Sequence, residues 1–384
     1  MIYKTAKITI PEIIFGINSL NKVAESLNQV GGEKPLIVTD KGLIDAGWVE
    51  KLSTILKNAG FEHQIFSKIT ENPKDSEVNE GVKMYLGSEC DSIIGIGGGS
   101  SMDAAKSIAI LSTNHGTIKD YEGANKIRNP LPPMIMIPTT AGTGADVSQF
   151  AIITDPKRKI KMSLIDRSLV PDVSIIDPLL LTTKDSKLTA YTGLDSLGHA
   201  IESFLSVSSN DFTNTMALNA IKIIFKYLRR SVASKTDLEA KEKMALATLQ
   251  AGISFSNAGL GLLHAMAHQV GGLLDAPHGE IDAILLPHVL RFNLISSVEK
   301  LAHIASLIDK KTNHLSKRDR AERAIYLVSE LCNDLEINKG LGHLGVNEDN
   351  IAKMSKNALL DFCILTNPRD ADEKDIEKIF HEAL

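Results

Sequence analysis

The sequence contains little cysteine, and the three cysteines that it has are far apart. Cys90, Cys332 and Cys363 form no CxxC pair. The sequence therefore predicts neither a disulfide framework nor a thiolate metal site, and it favours a reducing compartment. We expect a cytoplasmic protein.

Long hydrophobic runs and basic clusters are also missing. No apolar run reaches about 18 residues, and residues 1–7 lack the apolar core of a signal peptide. The net charge is −5, and no Lys/Arg cluster is interleaved with aromatic residues. Nothing in this composition favours a nucleic-acid partner. We expect no membrane span, no export, and a small-molecule ligand.

Two kinds of periodicity divide the chain. Its 384 residues, 43% of them hydrophobic, suffice for two globular domains. Up to about residue 180, short β-branched runs alternate with amphipathic segments, which predicts a parallel sheet with crossover helices. The predicted strands are residues 35–39, 63–69, 92–96, 133–137 and 173–176, and the predicted helices are residues 48–59 and 75–85. Residues 160–164 are predicted to form a hairpin with the run that ends at Ile153.

Beyond Pro178 the pattern changes to long helical periods with hardly any strand-like run. Predicted helices cover residues 188–203, 212–228, 238–254 and 376–383. The boundary falls near residues 178–186, where Thr182, Thr183 or Asp185 can cap the first helix. We predict an α/β domain over residues 1–182 and an all-α domain over residues 183–384.

The most specific motif consists of two helical pairs, Asp195/His199 and His264/His268, followed by His278, which we predict to lie in a Gly/Pro-rich turn after the second pair. Residues four apart lie on one face of a helix, so each pair can direct two ligand atoms at one point. A single histidine on an amphipathic helix is usually just a partly buried or surface residue. Here the histidines cluster among small residues with few charges, which predicts a divalent-metal site. Spacing alone does not separate ligands from non-ligands.

Three segments suggest a nucleotide site. Residues 92–106 run from an apolar strand through Gly97-Gly98-Gly99 into a helix, whose first N–H groups can hold a pyrophosphate. The motif is not a clean GxGxxG, and a tight structural turn is the alternative. Asp40 follows a strand and can bond a ribose hydroxyl, which would favour NAD over NADP, or it can be a turn or cap residue. The hydroxyl-rich loop at residues 138–146 suits phosphate or ribose contacts, although an ordinary Ser/Thr-rich turn would look similar.

Together these motifs resemble those of the iron-containing, group III alcohol dehydrogenases, over essentially the full length of the chain. The matching segments are Gly97-Gly98-Gly99-Ser100 with Asp103, residues 138–143, residues 193–195 with His199, residues 264–268 with residues 277–279, and Thr366-Asn367-Pro368-Arg369. The resemblance implies an N-terminal dinucleotide-binding α/β domain with a parallel sheet. It also implies an all-α, metal-binding C-terminal domain, as in dehydroquinate synthase-like proteins, with the active site in the cleft between the two domains.

The resemblance also implies roles for individual residues. The metal ligands would be Asp195, His199, His264 and His278, with Asp195 and His268 as catalytic residues. The implied cofactor contacts are Asp40, Asn72, Gly98, Gly99, Ser100, Asp103, Thr139, Thr140, Thr143 and Lys161. Phe150, Phe255 and Cys363 match positions near the substrate, although each of them can equally be a core residue.

The expected activity is NAD-dependent interconversion of short primary alcohols or diols and aldehydes, with the metal as a Lewis acid. The family name favours Fe(II), while Zn(II) or another divalent ion also suits a mixed O/N site. One alternative is a metal- and NAD-dependent cyclase of the dehydroquinate synthase type, which would need basic residues that the surroundings of the ligands lack. The other is a non-catalytic nucleotide- or metal-binding protein.

Residues 6–10 have the pattern of an edge strand. An exposed edge can pair with a second chain, so a homodimer or larger homo-oligomer is expected.

Overall fold

The computed structural model describes residues 7–384, which form two compact units. One unit is Thr9–Lys184, and the other is Asp185–Leu384 together with the described residues up to Ile8. Each unit has its own architecture, a layered α/β fold in the first and a helical fold in the second.

The first unit is built on a six-stranded sheet. The described strands are β1 (Glu12–Phe15), β2 (Pro35–Asp40), β3 (Gln64–Ile69), β4 (Ser92–Gly97), β5 (Gly123–Ala124), β6 (Met134–Pro138), β7 (Phe150–Asp155), β8 (Ile160–Ile165) and β9 (Val173–Ile176). The main sheet has the order β1-β9-β6-β4-β2-β3 with parallel neighbours throughout. A smaller sheet has the order β5-β8-β7, in which β7 and β8 are antiparallel. The predicted parallel sheet and the predicted hairpin are both confirmed.

Two apolar cores cover the two faces of the main sheet. Successive strand residues point to opposite faces, and accordingly Leu36 and Val38 of β2 belong to one core while Ile37 belongs to the other. The helices of this unit are α1 (Val23–Gln29), α2 (Lys41–Asp45), α3 (Trp48–Asn58), α4 (Asp75–Gly87) and α5 (Gly99–Thr113). Because both faces are buried, the central strands are continuous apolar runs without polar alternation.

The helices that follow β2 and β4 lie on opposite faces of the sheet. Leu43 of α2 and Leu52 of α3 belong to the core that contains Ile37, whereas Ile108 of α5 belongs to the core that contains Leu36. The connections that leave the carboxyl ends of β2 and β4 therefore turn toward opposite faces of the sheet. A crevice at such a point is where open α/β sheets bind ligands.

The second unit is helical. Its helices are α6 (Ser186–Leu205), α7 (Asp211–Ala233), α8 (Leu238–Ala258), α9 (Leu262–Leu274), α10 (His278–Ile308), α11 (Lys317–Asp334), α12 (Glu348–Ala358) and α13 (Glu373–Glu382). Asp185 caps α6 by accepting a hydrogen bond from the Leu188 N–H at 2.7 Å, so one of the three predicted caps is confirmed. Among residues 7–384, α10 is one helix long and apolar enough to span a membrane, but 67% of its apolar window is buried inside the protein.

The edge-strand prediction for residues 6–10 is wrong for the residues that can be examined. Residue 6 lies outside the described residues, and residues 7–10 form no strand. One edge strand of the main sheet is β1, which pairs with β9 through Glu12–Val173 to Phe15–Ile176. Pro11 stands immediately before this strand, and a proline at that position removes a backbone donor without interrupting the ladder.

Asp155 stabilises the turn of the β7–β8 hairpin, and we expect this contribution to depend on pH. The buried carboxylate accepts bonds from Lys119 Nζ at 2.8 Å, Arg158 Nε at 2.7 Å and the Lys157 N–H at 3.0 Å. Burial opposes ionisation, but these donors hold the pKa of Asp155 well below its usual range. Since the folded-state pKa is depressed, the stabilisation is present at neutral pH and is lost as the pH falls below about 4.

The variant Asp155→Asn should therefore lose about 1–2 kcal/mol at pH 7. The difference in Tm from the wild type should shrink between pH 7 and pH 3. The exposed Asp45 of α2 provides the control, because Asp45→Asn should change Tm little at either pH. An equal deficit for Asp155→Asn at both pH values would contradict the interpretation.

Candidate metal centre and dinucleotide loops

Three helices of the second unit bring the predicted metal ligands together. Asp195 and His199 lie one turn apart on α6, and His264 lies in the first turn of α9. His278 is the first residue of α10 and does not sit within the preceding turn. Asp195, His199 and His264 are 2%, 5% and 1% exposed, so the cluster is in the protein interior.

Asp195 Oδ1 is the common neighbour of the imidazoles. It lies 3.4 Å from His199 Nδ1 and 3.7 Å from His264 Nε2. Burial opposes ionisation of Asp195, yet the neighbouring histidines, His199 foremost, hold its pKa well below the usual range. The His199 ring is stacked between Phe255, at a centroid distance of 4.4 Å, and His264, at 4.5 Å. The aromatic stack fixes the position of His199 beside Asp195.

A further carboxylate, that of Asp282, lies at the same point, and the sequence reasoning missed it. The potential ligand atoms of Asp195, His264, His278 and Asp282 all lie within 4.8 Å of one another, a set that does not include His199. Asp282 is fully buried on α10. Burial and the nearby Asp195 raise the pKa of Asp282 well above its usual value, while His264 acts in the opposite direction.

Glu202 orients His264, and it was also missed. Glu202 Oε2 lies 2.6 Å from His264 Nδ1, and the carboxylate accepts the N–H groups of Gly261 at 3.0 Å and Leu263 at 2.7 Å. A carboxylate in this position accepts the Nδ1 proton and orients the ring so that Nε2 faces Asp195. Burial lowers the pKa of His264, but Asp282, Asp195 and Glu202 together raise it well above its usual value. Glu202 thus serves two purposes, because it also satisfies backbone donors at the start of α9.

His268 is held by a different carboxylate. Its Nδ1 lies 2.8 Å from Asp361 Oδ2, and its ring is stacked on His278 at a centroid distance of 5.5 Å. Burial opposes ionisation of Asp361, but His268 and the N–H of Cys363 hold the pKa of Asp361 below its usual value. The ionised Asp361 accepts the Nδ1 proton, so Nε2 of His268 is left as the basic nitrogen.

The predicted substrate residues are divided between the two units. Phe255 contacts His199, and the backbone N–H of Cys363 donates to Asp361 at 2.9 Å, so both lie beside the histidine cluster. Burial raises the pKa of the Cys363 thiol, which keeps it protonated and neutral. Phe150 belongs to the first unit, where it opens β7 and its carbonyl accepts a bond from Lys106 Nζ at 2.9 Å.

The residues of the cluster fit a divalent metal ion. Among residues 7–384, Asp195 Oδ1, His264 Nε2 and both carboxylate oxygens of Asp282 are buried without a hydrogen-bond partner. Buried polar atoms of this kind are normally satisfied, and carboxylate oxygens with imidazole nitrogens form a donor set for Fe(II), Zn(II) and related ions. An ion bound at their centre would satisfy all of these atoms together.

In the first unit, the predicted cofactor residues lie at the carboxyl ends of three adjacent strands, β2, β4 and β6. Asp40 ends β2, Gly97 ends β4 and Pro138 ends β6. Asp40 caps α2 through the Leu43 N–H at 3.1 Å and also accepts a bond from Ser101 Oγ at 3.2 Å. The interpretation of Asp40 as a helix cap is therefore confirmed. Its carboxylate also faces the glycine segment, through the contact with Ser101.

At two positions of the glycine segment, Gly97 and Gly99, the surrounding atoms leave no room for a side chain. Gly97 has φ +155°, and a Cβ there would lie 2.5 Å from Ser101 Oγ. A Cβ on Gly99 would lie 2.6 Å from Thr143 Cγ2. Gly98 is the N-cap of α5, and Gly99 and Ser100 form its first turn. The exposed N–H groups of a 15-residue helix at the carboxyl edge of a parallel sheet suit a pyrophosphate.

The loop after β6 completes this edge. The Thr139 N–H donates to the Gly97 carbonyl at 2.8 Å, which joins the two loops. Thr140 faces Gly98 at an ordinary contact distance, 3.5 Å from the position of a Cβ there. Within the described residues, the Thr139 hydroxyl oxygen is buried without a hydrogen-bond partner. Thr139, Thr140 and Thr143 are thus brought together with the glycine segment.

Asp103 and Lys161 interact with each other beside this edge. Burial raises the pKa of Asp103 to about 7, while Lys106, the Ile152 N–H and Lys161 act in the opposite direction. Burial lowers the pKa of Lys106 to about 8, and its Nζ donates to the Ser148 carbonyl at 2.7 Å. Lys106 therefore anchors α5 to the segment that leads into β7.

Asn72 lies between β3 and α4 in the left-handed region, with φ +53°, and it is buried. The carbonyl of the adjacent Pro73 accepts the Thr154 N–H at 2.8 Å, which places this turn beside β7. The turn that contains Asn72 is therefore hydrogen-bonded to β7 at Thr154, the residue that pairs with Lys161 of β8.

The segment Thr366-Asn367-Pro368-Arg369 fixes the start of α9. Asn367 Oδ1 accepts the Leu262 N–H at 3.1 Å, and its side chain bonds Asn293 of α10 in both directions, at 3.0 and 2.9 Å. Arg369 donates to the Phe292 carbonyl at 2.7 Å. This segment joins α9 to α10 near the histidines.

Comparison with known proteins follows the same division of the chain. The model for iron-containing alcohol dehydrogenase matches residues 11–178, and the model for the C-terminal part of the Fe-containing alcohol dehydrogenase family matches residues 189–384. Both units of the fold are thus covered.

Relatives match along the whole chain. A 1,3-propanediol dehydrogenase of Citrobacter freundii is 42% identical over 100% of both chains. An NAD-dependent methanol dehydrogenase of Bacillus methanolicus is 41% identical over 97% of this chain and 98% of the relative. A lactaldehyde reductase of Escherichia coli is 37% identical over 96% of this chain and 97% of the relative.

Solved structures agree. That of a 1,3-propanediol oxidoreductase superposes with a TM-score of 0.96 at 42% identity, covering 99% of this chain and 100% of the other. That of an alcohol dehydrogenase from Oenococcus oeni gives a TM-score of 0.96 at 37% identity, with the same coverage. The chain therefore belongs to the iron-containing alcohol dehydrogenase family, and it is an oxidoreductase of that type, which uses NAD and a metal.

Proposed function

We propose that the protein interconverts short primary alcohols or diols and their aldehydes, with the unit Thr9–Lys184 binding NAD and the unit Asp185–Leu384 binding the metal. The buried cluster of carboxylates and imidazoles carries this proposal, because its unsatisfied atoms converge on one point. The net reaction is oxidation of an alcohol by NAD⁺ to an aldehyde, NADH and a proton, or its reverse.

Asp195, His199, His264 and His278 would hold the metal. We propose Fe(II), with Zn(II) or another divalent ion as a working substitute, because a mixed carboxylate and imidazole set accepts all of them. When bound, the metal supplies a Lewis acid that lowers the pKa of an alcohol and polarises an aldehyde carbonyl. Glu202 supports this role by accepting the Nδ1 proton of His264, which makes Nε2 the ligand atom and raises its basicity.

His268 would carry the proton of the reaction. Asp361 holds the proton on Nδ1 of His268 at 2.8 Å, so Nε2 can accept the proton that an alcohol releases and later pass it to water. In aldehyde reduction the same nitrogen delivers the proton. Asp361 acts only through His268, as a positioning residue.

The loops at the carboxyl ends of β2, β4 and β6 would hold NAD. The N-terminus of α5, at Gly98, Gly99 and Ser100, suits the pyrophosphate. Asp40 suits the ribose hydroxyls and repels a 2′-phosphate, which favours NAD over NADP. Thr139, Thr140 and Thr143 offer hydroxyls beside them, and Asn72, Asp103 and Lys161 would lie toward the nicotinamide half.

A short substrate is favoured by the relatives, which are named for 1,3-propanediol, methanol and lactaldehyde. We propose Phe150, Phe255 and Cys363 as contacts of the substrate, as the resemblance to the family implies. The three cysteines of the described chain are free and buried, which agrees with a reducing cytoplasm, and the edge strand β1 supports our proposal of a homodimer or larger homo-oligomer.

The test is NADH formation from a panel of primary alcohols and diols by protein stripped of metal and reloaded anaerobically with Fe(II), Zn(II) or no ion. We expect turnover only in the metal-loaded samples and faster turnover with NAD than with NADP. The ranking of alcohols within the panel identifies the substrate class. Absence of turnover with every metal, alcohol and matching aldehyde, despite intact NAD binding, would refute the proposed function.

A further inference from the structure

Asp282 is not one of the four proposed ligands, although its carboxylate lies beside those of them that form the cluster. It lies one turn after His278 on α10, so the two side chains emerge on the same face of the helix. Its side chain is fully buried. Among residues 7–384, neither of its carboxylate oxygens has a hydrogen-bond partner.

The side chains that face Asp282 are imidazoles and a second carboxylate. Within the described part of the chain, its ion-pair neighbours are imidazoles, namely His264 and His278, and no lysine or arginine pairs with it. The other acidic group at this point, Asp195, has the same sign. Ionising both buried carboxylates costs several kcal/mol, and a cation bound between them would offset this cost.

The distances match ligands of one ion better than hydrogen bonds. Asp282 Oδ2 lies 3.4 Å from His278 Nε2 and 3.6 Å from His264 Nε2, beyond the usual range of N–H···O bonds. Ligand atoms about 2.1 Å from a metal lie roughly 3.0–3.5 Å from their neighbours around it. The oxygen and the two nitrogens are therefore spaced as atoms that surround a common centre.

We propose that Asp282 is a fifth protein ligand of the metal ion, in addition to Asp195, His199, His264 and His278. This inference rests on the metal centre of the proposed function. Two carboxylates neutralise a divalent ion, and the additional oxygen favours Fe(II) or Mn(II) relative to Zn(II), which prefers four-coordinate sites. The site is thereby specialised for an ion that accepts five or six ligands.

The test uses the full-length protein and the isosteric variant Asp282→Asn, stripped of metal and reloaded with Co(II). Affinity is measured by competition with a chromophoric chelator, and coordination by the visible absorption spectrum of the bound Co(II). We expect the variant to bind Co(II) and Mn(II) about 100-fold more weakly. We also expect its Co(II) bands to shift and intensify, as they do when the coordination number falls.

The matched control is Glu280→Gln. Glu280 lies on the same helix two residues earlier and is nearly as buried, but its carboxylate faces His343 Nε2 at 3.0 Å. This control should keep the wild-type affinity and spectrum. If Asp282→Asn does not fold, Asp282→Ser tests the same expectation with a smaller neutral side chain.

The spectrum decides the outcome, because a carboxylate that only supports a ligand can also change metal affinity about 10- to 100-fold. An Asp282→Asn spectrum identical to that of the wild type would overturn direct ligation, whatever its affinity. In that case Asp282 would be a neutral acid that shares a proton with Asp195. A wild-type protein that bound no metal would instead refute the metal centre itself, so the two failures are distinguishable.

Discussion

The Asp195→Asn variant is expected to lose alcohol oxidation by about 10³- to 10⁵-fold in kcat/KM, because a metal at the cluster contributes several kcal/mol to the reaction. The substitution keeps the shape of the side chain and removes its charge. Asp195 Oδ1 is the oxygen shared by His199 and His264, at 3.4 and 3.7 Å. Without the negative charge, the site loses an anionic ligand that compensates the charge of a bound cation. The measurement is bound metal per chain together with kcat/KM.

The next residue supplies a control for this prediction. Ser196 is fully buried on the same helix, and its hydroxyl bonds Thr248 Oγ1 at 2.7 Å, away from the cluster. Ser196→Ala should lower stability by about 1 kcal/mol and leave both metal content and kcat/KM near the wild-type values. An Asp195→Asn protein that retained a full complement of metal would contradict the assignment.

The Gly279→Ala variant is expected to disrupt the metal centre by a steric route, without changing any ligand. A Cβ at Gly279 would lie 2.4 Å from the carbonyl oxygen of Tyr191 and 2.7 Å from its carbonyl carbon. Backbone atoms inside a helix cannot move aside as a side chain can. The methyl group should push α10 away from α6, and with it His278 away from Asp195. We expect a loss of about 1–3 kcal/mol and a large fall in metal affinity.

Gly87→Ala is the matched comparison for Gly279→Ala. Gly87 is also helical, as the last residue of α4, and no atom lies within 4 Å of the position of its Cβ. Alanine there should be neutral or slightly stabilising, because glycine disfavours helices by about 1 kcal/mol. Unfolding of the metal-free proteins separates loss of stability from loss of metal binding. Normal metal affinity in Gly279→Ala would contradict the predicted separation of α6 and α10.

The fold was largely predictable because its signals are local. Apolar runs such as residues 35–39 and 133–137 predicted buried strands. The observed strands, Pro35–Asp40 and Met134–Pro138, differ from them by no more than one residue at each end. Asp185 could be proposed as a cap because a carboxylate before an apolar helical period has few other roles. The edge strand was misplaced because residues 6–10 and the true strand, Glu12–Phe15, are both short apolar stretches. Their pairing with β9 depends on contacts more than 150 residues away.

The candidate site was predictable only in part. The pairs Asp195/His199 and His264/His268 stand out because each lies within one helix. Glu202 and Asp361 could not be assigned, because they are far in sequence from the histidines that they contact. Glu202 is 62 residues from His264, and Asp361 is 93 residues from His268. Asp282 carried a usable signal, since it is four residues after His278, but that signal depends on knowing that His278 begins a helix. Placing His278 in a turn concealed it.

The distribution of the cluster over α6, α9 and α10 determines when it can form during synthesis. A chain that has emerged from the ribosome only as far as α6 offers an ion Asp195 and His199, one helical pair. The remaining groups follow on α9 and α10, and they approach Asp195 only when these helices have packed. In a zinc finger, by contrast, metal binding itself supplies the folding energy. Here the ligand atoms come from three helices that must pack before they converge, so we expect uptake of the ion to be a late event in the folding of the helical unit.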